Sequence, residues 1–339
     1  MIRTNALLER LSLPTTRKLV SLAGYASFFF MCFVMFSYWS FPYGRVREFL
    51  IRKVAADMGY QLSIGEIAPH WVTGLRVSEL KLTKPAANAS SEPTDLNIQE
   101  ATIRASILPL LLGNVVVNFW LSDGTGEVDG TYEHGEEAFS FDAELLNLDV
   151  GALGIGGWLG LPLRGQASGE VALAIAENLA ESDATANLTI AQLALGDGKA
   201  KVKIPGMRDG FTVERVDAGT LTLKLKTANG VVTLEQLSAQ GTDLKLKGDG
   251  SLRLVRPLLR SRGDFTVAVT FTDKYKERND RTKALFQLMA FQPEIKRATS
   301  DDGTMNFQLS GPLQTLRAVP AGTPAEAPAP RRRGRRRGK

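Results

Sequence analysis

The sequence predicts a mainly β protein. One N-terminal transmembrane helix is followed by a β-repetitive, twisted antiparallel sheet, open as a barrel or groove, with short capping helices. Three observations predict it. Residues 19–41, LVSLAGYASFFFMCFVMFSYWSF, carry no charge. From residue 96 onward, short runs alternate apolar and polar residues, as in AQGTDLKLKGDGSLRLVRPLLRSRGDFTVAVTF at 239–271. Glycine or aspartate turns separate these runs, and 32 glycines in 339 residues supply enough of them for many hairpins.

Residues 1–18 read as a cytoplasmic stub and residues 19–41 as the anchor. Its 23 residues make a helix of about 34 Å, enough for a hydrocarbon core of about 30 Å. Tyr38, Trp39 and Tyr43 cluster where an aromatic belt would lie. A cleaved signal peptide is the rival, but its apolar region is only about 7–15 residues and ends on small residues. This one leaves through Phe36, Tyr38, Trp39 and Phe41. Charge ties on orientation: Arg3, Arg10, Arg17 and Lys18 precede the helix, and Arg45, Arg47, Arg52 and Lys53 follow it. A short stub is the part more easily kept in the cytoplasm, so the long domain is expected to be exported.

Residues 42–58 form a juxtamembrane helix with Val46, Phe49, Leu50 and Val54 on one face. YQLSIGEIAP and GLRVSELKLTK then read as two strands with Trp71 between them, and 84–95 as a mobile polar loop. The β-rich domain spans 59–317 as a loose repeat of hairpins. Two helical interludes interrupt it, ASILPLLLGN and NDRTKALFQLMAFQP. Leu285, Phe286, Leu288 and Met289 make the apolar stripe of the second, suited to covering one end of the sheet. Residues 318–339 are a disordered Pro/Ala linker and a basic tail.

Chemistry is sparse. The net charge of +5 misleads, because the tail RRRGRRRGK holds seven of the 41 basic residues; without them 34 basic residues face 36 acidic ones. Arg331, Arg332, Arg333, Arg335, Arg336, Arg337 and Lys339 suit anionic lipid or lipopolysaccharide. Nucleic acid would need this tail in the cytoplasm, against the expected orientation. His70 and His134 offer no metal spacing, and Glu133, Glu136 and Glu137 beside His134 read as an acidic hairpin turn. Cys32 can form no intrachain disulfide. The glycines of GALGIGGWLGLPLRG (151–165) lack the Gly-Lys-Ser/Thr ending of a phosphate loop and carry Leu159 where a dinucleotide motif needs its third glycine. Asn88-Ala-Ser90 and Asn187-Leu-Thr189 match the short glycosylation pattern. No nucleophile with its base and orienting partner can be assembled, so the expectation is a non-enzymatic protein with no catalytic, cofactor or metal site.

The chain moves from its anchor through FPYGRVREFLIRKVAADMGYQLSIGEIAPHWVTGLRVSELKL and ends with a LFQLM helix before DDGTMNFQLSGPLQTLRAVP. This layout resembles the N component of the bacterial type II secretion system in its longer, delta-proteobacterial form. The stretch GTDLKLKGDGSLRL at 241–254 is similar to the wider AsmA-like group of envelope proteins. The resemblance covers about residues 19–320 and implies an inner-membrane anchor, a periplasmic β domain and other secretion-system components as partners. It brings no catalytic residues. The alternative it carries is an AsmA-like role in binding or moving lipid between membranes.

Overall fold

Period-two alternation lets every run of residues pair with the next on either side, and short turns make the nearest partner in sequence the nearest in space. The computed structural model describes residues 14–321, apart from 59, 72, 85–93, 136–137, 152–155, 157–160 and 203–210. It begins with two helices, α1 (Pro14–Ser40) and α2 (Tyr43–Met58). Strands β1 (Gln61–Ser63), β2 (Glu66–His70), β3 (Gly74–Lys84) and β4 (Thr94–Ala105) follow. After the short helix α3 (Ile107–Leu111) come β5 (Val115–Ser122), β6 (Glu127–His134) and β7 (Phe139–Asp149). The chain continues through β8 (Leu163–Ile175), β9 (Asp183–Leu195), a small separate hairpin of β10 (Lys201–Val202) and β11 (Phe211–Thr212), and β12 (Val216–Ala228). β13 (Val231–Gln240), β14 (Leu244–Arg253) and β15 (Arg262–Phe271) lead to helices α4 (Asp273–Lys276), α5 (Asp280–Phe291) and α6 (Pro293–Ala298). β16 (Met305–Pro312) and β17 (Arg317–Pro320) close the described chain.

Fifteen of these strands form one antiparallel sheet in which each strand pairs with its neighbour in sequence, except that β1 pairs with β3 and β9 pairs with β12 across the small hairpin. The sheet is not closed: β1 and β2 both pair with β3 at one side, and β17 ends the other. Strand ends thus collect at two ends of the sheet. One holds Trp71 and α3; the other holds α4, α5 and α6. These are called the α3 end and the α5 end.

Bulges bend the sheet. Glu79, Asn147 and Gln192 have positive φ, and the register shifts where Asn147, Gln192 and Gly219 interrupt their ladders. At Glu79 the bulge also splits the first expected strand, because the Gly65 N–H turns to the carbonyls of Ser78 and Glu79 and separates β1 from β2. The resulting curl is visible at the α3 end. Ala176 and Arg256 follow β8 and β14, four strand spacings apart or about 19 Å in a flat sheet. Yet the Arg256 guanidinium donates to the Ala176 carbonyl at 2.9 Å.

Two clusters make the core. Ile64, Val77 and Ala101 are covered by Leu50 and Ile51 of α2. The docked face of that helix includes Ile51, while Phe49, expected on the same face as Leu50, is 57% exposed. The second cluster, Leu193, Val216, Ala218, Leu244 and Tyr275, lies at the α5 end beneath Phe286.

Candidate functional site

Residues paired across successive strands build apolar rows that run the width of the sheet. One row passes from Ile67 through Val77, Ala101, Leu121, Val128 and Leu145. It continues through Gly169, Leu188, Leu223, Leu237 and Gly248 to Val267 and Phe307. A second row, nearer the α3 end, includes Ile103, Phe119, Ala143, Val171, Leu225 and Leu234. The row between them belongs to the opposite face and holds Thr102, Asp129, Glu144, Glu170, Asn187 and Lys224. One face is therefore mainly apolar, and the other, apart from Trp120, is polar in this row.

Neighbouring side chains cover several of the glycines in these rows. A Cβ on Gly130 would lie 2.4 Å from Cζ of Phe119, its cross-strand partner, because that ring lies over the glycine. Phe265 covers Gly250 in the same manner. Phe119 also stacks on Phe141 with ring centroids 5.6 Å apart.

The apolar face is only partly covered. Val77 and Ala101 are buried beneath α2, and Leu193 and Leu244 are buried at the α5 end. Between these patches Leu188, Leu223, Leu225, Leu237 and Val267 are half-buried. The helices make their main contacts elsewhere, α2 with β1 and β2, and α6 with β16 and β17. Toward the α3 end a cavity of about 610 Å³ opens between Leu108, Leu112, Val116, Phe139 and Ile175, with His134 on its wall. A neighbouring cavity of about 510 Å³ lies between Trp71, Arg104 and Ile107.

The α5 end is locked by a polar clasp. Asp243, 2% exposed, pairs with Arg278 and accepts a hydrogen bond from the Asp217 N–H at 2.8 Å. The Arg278 guanidinium also donates to the Arg215 carbonyl and lies 4.9 Å from the Tyr275 ring. The Tyr275 hydroxyl donates to the Glu214 carbonyl. Burial, with Asp243 and Glu214 nearby, pushes this phenol up to about 12 despite Arg278. The same device recurs at the same end: Asp123 accepts from the Asp149 N–H, which is again 26 residues away. Burial alone would raise the Asp123 carboxyl, but hydrogen bonds from Gly126, Thr125 and Asp149 outweigh it and hold the group below its ordinary value.

The residues singled out in the sequence do not converge. His70 ends β2, and His134 ends β6 with its ring stacked on Tyr132 at 6.2 Å. Glu133 lies in β6 rather than in the turn after it. Cys32 lies in α1, and Asn187 is on the polar face of β9. Asn88, Glu136, Glu137, most of the glycine-rich stretch 151–165 and the tail from Arg331 to Lys339 lie outside the described residues. Among the described residues, no group of three or more His, Cys, Asp or Glu could hold a metal ion. α1 contains a 23-residue segment, Lys18–Ser40, long and apolar enough to cross a membrane. No family model matches the chain, and neither a curated protein nor a solved structure matches it.

Proposed function

We propose that this protein is a non-enzymatic envelope protein, anchored by α1 in a bacterial inner membrane, that holds acyl chains of lipid along the apolar face of its periplasmic sheet. The observation that carries this reading is the apolar row from Ile67 to Phe307, whose middle is only half-buried. Leaving such a surface to water costs about 25 cal/mol per Å², so a ligand that covers it gains in proportion. Acyl chains match it because they need no polar partner, and the rows offer none.

Photo-crosslinking tests it. A photoreactive residue at Leu188 or Leu223, in the full chain expressed in a Gram-negative host, should capture lipid; one at Lys224 on the polar face should not. Equal capture from both faces, or from neither, would rule the reading out.

A second reading makes the chain an accessory component of the type II secretion apparatus. What supports it is the order of anchor, docked short helix, β domain and the LFQLM helix α5 before the last hairpin. It expects the same crosslinking positions to be silent and secretion components to co-purify with the full chain.

A further inference from the structure

We propose that α3 and Trp71 form a second membrane contact, an apolar knuckle that enters the surface of the bilayer spanned by α1. The inference rests on the anchor reading but does not require acyl chains to bind along the sheet. Ile107, Leu108, Leu110, Leu111 and Leu112 are all exposed, Leu108 at 75% and Leu111 at 80%. The helix has no buried residue, so its leucines add nothing to the core. Trp71, on the adjoining turn, is 68% exposed and lies 5.9 Å from the Arg104 guanidinium. A patch of this kind marks a contact surface, and tryptophan beside arginine suits the boundary between water and hydrocarbon.

The chain path identifies what the knuckle meets. Only Phe41 and Pro42 separate α1 from α2, so α2 starts at the membrane surface. Leu50 and Ile51 dock on Ile64, Val77 and Ala101. From Tyr43 to Ile51 is about 12 Å of helix, which keeps that cluster within about 12 Å of the bilayer. After α2, strands β1 and β2 pack back along it. The end of β2 at His70 therefore points toward the membrane. Its register with Gly74, and that of Gly74 with Arg104, bring Trp71 and α3 to the same level. Arg45 and Arg47, at the start of α2, provide cations for anionic headgroups beside the knuckle.

The test places a cysteine at the knuckle of the full chain. With Cys32→Ser, Leu111→Cys is labelled with an environment-sensitive fluorophore and reconstituted into vesicles of phosphatidylethanolamine and phosphatidylglycerol. Phe291→Cys, at the α5 end and 86% exposed in the parent side chain, is the control. Nitroxide-bearing lipids should quench the label at 111 several-fold more than the label at 291, and aqueous iodide should show the reverse order. A label at 111 that iodide reaches as freely as the control overturns the proposal. So does one shielded from both quenchers, which would mark a protein contact. Lipid capture at Leu188 and Leu223 is read separately, so either idea can fail alone.

Discussion

At the scale of single residues, Asp243 and Arg278 decide whether the helices at the α5 end stay docked. Their burial is unequal: Asp243 is 2% exposed and the Arg278 side chain 35%. Removing the arginine strands a buried carboxylate, whereas removing the aspartate leaves a guanidinium that can still reach water. Arg278→Ala should therefore cost about 3–5 kcal/mol, and Asp243→Ala less, about 1.5–3 kcal/mol. Denaturant titration of both variants checks the order. Tyr275 adds a pH signature. Its phenol rises from an ordinary value of about 10 to about 12 when folded, so the folded state holds that proton more tightly. The stability it contributes is complete below about pH 10 and is lost as pH rises toward 12. A midpoint that does not fall across that window, or one that falls equally in Tyr275→Phe, would contradict this. None of this clasp is legible along the sequence, because Asp243 and Arg278 are ordinary residues of two short connections until a 35-residue separation is folded away.

Elements repeat more regularly in space than in sequence. Two strand connections at the α3 end share one construction: Ser182 accepts from the Ala176 N–H and Ser261 from the Val255 N–H, each at 3.1 Å across six residues. Both serines are buried, and each closes a single helical turn, Leu179–Glu181 or Leu258–Arg260. Replacing either serine by alanine leaves a backbone N–H without its partner, so Ser182→Ala and Ser261→Ala should each cost about 1–3 kcal/mol. Similar losses in thermal melts would support the shared construction; a loss at one site alone would count against it. The strands themselves were readable from alternation, as was the stripe of Leu285, Phe286, Leu288 and Met289, all of them half-buried in α5. The split of β1 from β2 was not, since it depends on a bulge at Glu79 in the partner strand.

For the whole molecule, the decisive quantity is which side of the membrane the sheet occupies. A periplasm-active reporter fused after residue 320 should be active in a Gram-negative host, and a cytoplasm-active reporter at the same position silent. The opposite pattern would remove both envelope readings and make Arg331–Lys339 the leading clue. If the sheet does face the periplasm, its curvature matters next, because bulges at Asn147 and Gln192 shift the register and bend the sheet that carries the apolar rows.

By itself the sequence determined the apolar N-terminal helix, the mainly β character and the hairpin order, because each follows from local periodicity and from short connections that pair neighbours. Tertiary structure alone decided the rest. Which alternating face is left open depends on register carried from strand to strand, on bulges that shift it, and on α2 and α5 covering only part of it. Alternating residues serve a filled barrel and an open groove equally well; only the placement of the covering elements separates the two.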